Sequence, residues 1–366
     1  EVIDLSILKP VIEGMQYQRL REGFAWLGEN LATPSALSFR PNMVMPYHRE
    51  VGANWLMRQG IPAEASGIVL TNGATPAITA ALMAVVPPGA GLAAAALTHH
   101  TIMPLCNYLG LHLEGVAMDR SGIIPASLDD VAKKGLVRAL YVQPNVINPL
   151  AVMEPESRRA ELVAVARRHD LAIIENDILN VMIPDRAPTF AALAPERTLH
   201  ISGFTKITVP GLRLAYLHSP PRHATAVANR HFVASWIATP PMADLLSHWI
   251  ADGTVAELAA WQSKAIAERH DVAEAVLGSL MPECHENSLH LWLRLPDGWS
   301  EDRSVQQARL QGVAVAAGSA FRANDKVRGE AIRVSLGSTR SEELKRGLSV
   351  LSAMLRDQPE SLLPTI

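Results

Sequence analysis

Apolar residues occur along this chain in two rhythms. Short, nearly unbroken apolar runs that end in polar or glycine-rich turns predict buried strands. These lie at Ile68 to Thr71, Gly91 to Ala96, Val137 to Val142, from Leu171 into Glu175, and at Leu199 to Ile201. Apolar residues three and four apart predict helices over about Pro10 to Leu31, His48 to Gly60, Ser157 to His169, Ala259 to Leu277 and Ser341 to Leu355. A further helix starts after Gly73 and runs through Pro76 to Val86, with proline in its first turn, where it is tolerated. Leu37 to Pro41 reads as an extended link, and the alternation in Leu289 to Leu293 as a strand.

Composition narrows the setting more than the activity. The chain has 366 residues, 48% hydrophobic and 19% charged, with a formal net charge of −3. That length allows two domains, and the charge balance gives no sign of a nucleic-acid or acidic-membrane surface. The two cysteines, Cys106 and Cys284, have no metal-type spacing, which points to a reduced, cytoplasmic setting. The most apolar stretch, Ala77 to Leu97, is broken by Pro87, Pro88, Gly89 and Gly91, too often to span a bilayer. No signal peptide, internal repeat or low-complexity tract is visible. The chain opens on Glu1 rather than Met, so a cut from a longer chain is expected.

The chemistry concentrates at Ser202-Gly203-Phe204-Thr205-Lys206, with Arg213 seven residues beyond the lysine in Pro210-Gly211-Leu212-Arg213. A lysine between a buried strand and a Pro-Gly turn can be held in a cleft. There, desolvation lowers its pKa and makes the amine nucleophilic enough to form a Schiff base. Arg213 offers a planar permanent cation suited to phosphate, and Thr205 a hydroxyl. Upstream, Asn72-Gly73-Ala74-Thr75 puts a glycine turn at a helix start, where backbone N–H groups bind anions.

This lysine segment resembles that of fold type I pyridoxal-phosphate (PLP) aminotransferases. Other motifs follow in the family's order: Asn72-Gly73-Ala74, Thr98-His99, Asn148-Pro149, Glu175-Asn176-Asp177, Lys206 with Arg213, and Arg333 in Ala331-Ile332-Arg333-Val334. The resemblance implies a large α/β domain with a mostly parallel sheet, a smaller C-terminal α/β domain, and PLP between them. It divides the chain into an N-terminal arm (1–45), a large PLP-binding domain (46–260) and a small domain (261–366). It makes Lys206 the catalytic, cofactor-bearing residue, with Gly73, Ala74, Thr75, Thr205 and Arg213 at the phosphate. His99 would stack on the pyridine, Asn148 would meet the ring hydroxyl, and Arg333 would clamp a substrate carboxylate. Strict register sets Asn176 against the pyridine nitrogen, with Asp177 one residue away; both remain candidates. No metal is implied.

Four departures separate this chain from the family pattern. Gly203 replaces a serine, His99 an aromatic ring, Leu179 a tyrosine, and Leu150-Ala151 a Thr-Gly pair. The closest likeness is to the aminotransferase-like half of MocR/GabR-type (GntR family) transcriptional regulators. These carry an N-terminal winged helix followed by a segment similar to Ile3-Asp4-Leu5-Ser6. The first expectation is therefore a homodimeric, effector-sensing domain that binds an amino-acid-like molecule as an external aldimine on PLP, with little or no turnover. DNA would be reached only through a winged helix absent from this chain. The second is a free-standing class I/II aminotransferase using the same residues, and the third a structural domain without PLP.

Overall fold

The computed structural model describes residues 2–37, 46–324, 327 and 329–357. The expected extended link from Ser38 to Pro41 lies outside the described residues.

The five short apolar runs, with Ala215–His218 and the partly exposed edge strand His112–Val116, form one seven-stranded sheet. Its strand order is Ile68–Thr71, Ala215–His218, Thr198–Gly203, Ala172–Asp177, Val137–Val142, Gly91–Ala95, His112–Val116. Ala215–His218 is antiparallel to both neighbours, and the other pairings are parallel. Parallel strands are buried on both faces, which is why they read as apolar runs without alternation. One face packs Ile174, Leu199, Ile201 and Tyr141 against helices that include Ala74–Val85 and Ile102–Leu109. The other packs Leu140, Val142 and Ile173 against Pro125–Ala132 and Glu156–Arg168.

The helix Thr254–Leu277 leads away from this sheet. Beyond it, His290–Arg294, Ala331–Ser335 and Ala316–Ala317 form a three-stranded antiparallel sheet, covered by Ser341–Arg356. The long helix begins earlier than its apolar spacing suggests, because Gly253, at φ 91°, turns the chain directly into it.

The N-terminal segment belongs to both sheets' surroundings. Ile3–Asp4 pairs in parallel with Val313–Ala314, and the Leu5 carbonyl accepts from Ser335 N at 2.8 Å. The first helix starts at Gly14 rather than near Pro10. The reason is local: Val11 N donates to Gln262 Oε1 at 3.1 Å, and Val11 O accepts from both Gln16 and Gln262 side chains. The backbone of Val11 is thus already taken and cannot enter a helix. Its neighbours Lys9 and Pro10 press on Gly337, where a Cβ would clash with the Lys9 carbonyl and lie 2.8 Å from the Pro10 carbonyl carbon. Backbone is on the other side of that contact and cannot rotate away. Gly337→Ala is therefore expected to lower stability by about 1–3 kcal/mol, the usual cost of overpacking. Urea unfolding of the two proteins measures it, and equal midpoints would refute the tight crossing.

Candidate functional site

The C-terminal ends of the parallel strands open toward the small sheet, where ligands of open α/β sheets sit. At one side is Gly73, at φ 104°, a value that favours glycine, followed at once by the helix Ala74–Val85. The N–H groups of Ala74 and Thr75 lie in that helix's first turn, at the positive end of its dipole. Arg213, at φ 51°, lays its guanidinium across Gly73: a Cβ there would lie 3.1 Å from Nη2. Asn72 fixes the turn from outside, donating to Ser235 Oγ and Ile237 O, both at 3.4 Å, and accepting from Thr239 N at 3.2 Å. Gly73, Ala74, Thr75 and Arg213 thus make a concave, electropositive cradle.

Lys206 follows the strand Thr198–Gly203 through Phe204 and half-buried Thr205. Its ammonium donates to the Leu8 carbonyl. Burial, then the charges of Arg333, Arg213 and Lys9, bring its pKa down to about 8. Arg333, on Ala331–Ser335, is 3% exposed. Its Nη1 donates to Asn148 Oδ1 at 3.2 Å and its Nη2 to Ser6 O at 2.8 Å, over the Phe321 ring at 4.7 Å. Its Nε has no partner, and burial pulls its pKa down to about 10. Among the described residues, neither cation pairs with a carboxylate. Asn148 keeps its Nδ2 unpartnered.

His99 is held by Thr101 Oγ1, 2.7 Å from Nδ1, with the His100 ring 4.6 Å away. Burial, then the positive fields of His100, Arg333 and Lys206, push its pKa to about 3, so the ring is neutral.

The two candidates on Ala172–Asp177 part company. The strand pairs regularly through Asp177 opposite Ser202, so neighbouring side chains take opposite faces. Asn176 lies on the face of the Ala74–Val85 helix and donates to Tyr141 Oη at 3.0 Å, leaving Oδ1 unpartnered. Asp177 lies on the other face. Its carboxylate pairs with Arg186 and accepts from Asn145 Nδ2 and Asn180 N, each at 3.1 Å. This corrects the two-candidate expectation: Asp177 is spent on a buried ion pair away from the cradle. Leu179, at the expected tyrosine position, is a buried core residue. Gly203 carries no hydroxyl, although a Cβ there would only touch Ile178 at 3.4 Å.

Sequence reasoning missed four contributors. Tyr141 reads as one more apolar residue in a buried strand. The Ser6 and Leu8 carbonyls are main-chain groups, which carry no residue signature. Arg186 sits in a loop with no motif around it.

No family model matches the chain. It is similar to the uncharacterized HTH-type transcriptional regulator YdeF of Bacillus subtilis, 23% identical over 315 residues, covering 85% of this chain and 68% of that one. It is also similar to aromatic-amino-acid aminotransferase 1 of Thermococcus litoralis, 22% identical, covering 84% of this chain and 76% of that one. The chain thus spans about two-thirds of the length of that regulator. Among solved structures, the kynurenine aminotransferase of Pyrococcus horikoshii in complex with PMP superposes with a TM-score of 0.88 at 21% identity, covering 98% of this chain and 92% of that one. The fold is that of the fold type I aminotransferases.

The lowered lysine pKa has a measurable sign. Between pH 8 and the ordinary lysine value of 10.5, the folded state binds fewer protons at Lys206 than the unfolded state. Stability from this group therefore rises with pH across that window and is lost as pH falls through 8. Relative to Lys206→Met, which lacks the titration, the unmodified protein is expected to gain about 1–3 kcal/mol over that range. Denaturant unfolding at a series of pH values reads the difference; parallel profiles would contradict it.

Proposed function

We propose that this chain is a PLP-binding, aminotransferase-like sensing domain of a MocR/GabR-type transcriptional regulator, with an amino-acid-like molecule as its effector. The observation that carries the reading is Arg333, a buried arginine without a carboxylate partner among the described residues, beside a lysine of lowered pKa. A buried cation left in this state is costly unless an anion completes it. Perturbed groups of this kind cluster where ligands bind.

The residues present fit PLP. A Cβ would fill the Gly73 cradle beneath Arg213, and that space suits a phosphate. The Asn148 Nδ2 donor is free for a ring hydroxyl, and Asn176, whose Nδ2 is taken by Tyr141, has its Oδ1 acceptor free for the ring-nitrogen end. When bound, PLP supplies an aldehyde that condenses with amines and a ring that withdraws electrons. Lys206, neutral in a substantial fraction near pH 8, presents the amine. Arg333 would hold the carboxylate of an amino-acid effector bound beside Lys206. The effector carboxylate would displace the Ser6 carbonyl from the guanidinium, whereas the Leu8 carbonyl would leave the lysine when that amine takes up the cofactor. The N-terminal segment therefore responds to occupancy, and in the whole regulator that movement is what reaches a DNA-binding part.

Asn176 separates a sensor from a transaminase. An aspartate would hold a ring nitrogen protonated by charge, and a neutral amide does not, so the electron sink is weaker. His99, Gly203 and Leu179 also lack the groups the family uses around the ring. The similarity to a Thermococcus aminotransferase supports the enzyme as the second reading.

Absorbance changes of the PLP-loaded protein with a panel of amino acids test both readings. Effectors are expected to shift the spectrum quickly, with slow or no conversion to the pyridoxamine form. Arg333→Ala should weaken effector binding by about 1.5–3 kcal/mol, as for a hydrogen bond to a charged group, and leave PLP bound. Asn176→Asp should speed the half-reaction. Turnover on the order of 1–10³ per second in the unmodified protein would reject the sensor in favour of the enzyme.

A further inference from the structure

Behind Asn148 lies a cavity of about 20 Å³, lined by Tyr141, Gln143, Asn148, Glu154, Thr98 and Gly122, among others. Three of these lining residues each carry a buried polar atom without a protein partner: Glu154 Oε2, Gln143 Oε1 and Asn148 Nδ2. Buried polar groups are satisfied in native proteins, by water where protein cannot reach. The cavity has the volume for one water, and its lining residues hold three unpartnered polar atoms, within the two to four partners that such a water needs.

Glu154 is the unexpected member of this set. It is 3% exposed, and neither Arg158 nor Arg159 forms an ion pair with its carboxylate. Arg159 spends its donors on the carbonyls of Glu154, Ala187 and Pro188 and on Asn145 Oδ1. Arg158 spends its own on Asp119 and the carbonyls of Gly122 and Ile123. From the hairpin, Gly122 presses on Oε1; a Cβ there would collide with it. From the sheet, Glu175 adds a like charge. One carboxylate oxygen is therefore left to the cavity.

Asn148 is a junction. Its Oδ1 is taken by Arg333 at 3.2 Å, which fixes the orientation of the amide. Its Nδ2 carries two hydrogens, one for the ring oxygen in the function proposed above and one for the cavity.

We propose that Glu154 is a positioning residue: through a water in this cavity its carboxyl holds the Asn148 amide, so that the charge state of Glu154 governs how Asn148 grips the cofactor ring oxygen. The cofactor half of this rests on the PLP reading; the link between Glu154 and Asn148 does not. Burial, opposed by the fields of Arg159 and Arg158 and by the Ile123 N–H, raises the Glu154 pKa to about 7. The ionised carboxylate is a pure acceptor and draws the water's hydrogens to itself. The acid can donate, which turns the water around and weakens its hold on Asn148.

The test pairs the unmodified protein with Glu154→Gln, which keeps shape and removes the titration. In the PLP-free protein, the side-chain amide resonances of Asn148, assigned by their loss in Asn148→Ala, are expected to move through about pH 7, and to stay still in Glu154→Gln. In the PLP-loaded protein, the visible band is expected to show an inflection in the same pH range that Glu154→Gln lacks. A still amide in the unmodified protein overturns the link. A moving amide with a visible band that titrates identically in both proteins overturns the control of the cofactor. Absence of any visible band would refute the PLP reading itself, while the amide titration would still decide the link.

Discussion

Two cations drawn out of water at one junction, with no anion of the described chain to meet them, are what the rest of this structure answers to. Lys206 comes from the large sheet and Arg333 from the small one. Among the described residues, their hydrogen-bond partners are the carbonyls of Leu8 and Ser6 and the amide oxygen of Asn148. Carbonyl dipoles soften the desolvation of a cation without neutralising it. The fold maintains this imbalance with rigid parts: strand ends that cannot shift, a glycine turn under Arg213, and an N-terminal segment clamped by Gln262 and Gly337. In the proposed function, a ligand that brings negative charge to both ends, a phosphate at the cradle and a carboxylate at Arg333, would relieve that imbalance.

The face of the sheet opposite the site carries its own charges. Asp177 with Arg186, and Glu175 with His200 at 2.9 Å, are buried pairs, and Glu175 also accepts from Phe190 N and Ala191 N. Asn145 joins Asp177 to Arg159, and Asn145 lies on the same loop as Asn148. These groups touch none of the cradle, yet they hold the loop and the strand end that deliver Asn148 and Asn176. A strand's alternation thus splits two adjacent polar residues between opposite faces, Asn176 beside Tyr141 and Asp177 in the buried pair with Arg186.

Much of this was legible beforehand, for physical reasons. Val137–Val142 is read to the residue because a strand buried on both faces leaves an unbroken apolar run. The turn at Gly73 is legible because only glycine tolerates its φ readily, and Arg213 because the Pro-Gly before it sets its distance from Lys206. The choice between Asn176 and Asp177 was not legible, since it depends on whether pairing stays regular to the last residue. Nor were the roles of Ser6 and Leu8, which act through carbonyls that every residue possesses. The start of the first helix was misread because its competitor, Gln262, lies some 251 residues away in sequence. Glu154 carries no motif in the sequence, and only the fold shows it buried and lining one pocket with Asn148.

Borohydride treatment of the PLP-loaded protein, followed by peptide mass spectrometry, reads the attachment point directly. Reduction should lock the cofactor onto the peptide containing Lys206 and leave every other lysine unlabelled. A label on another lysine, or none at all, would contradict the assignment of this cleft as a PLP site built around Lys206.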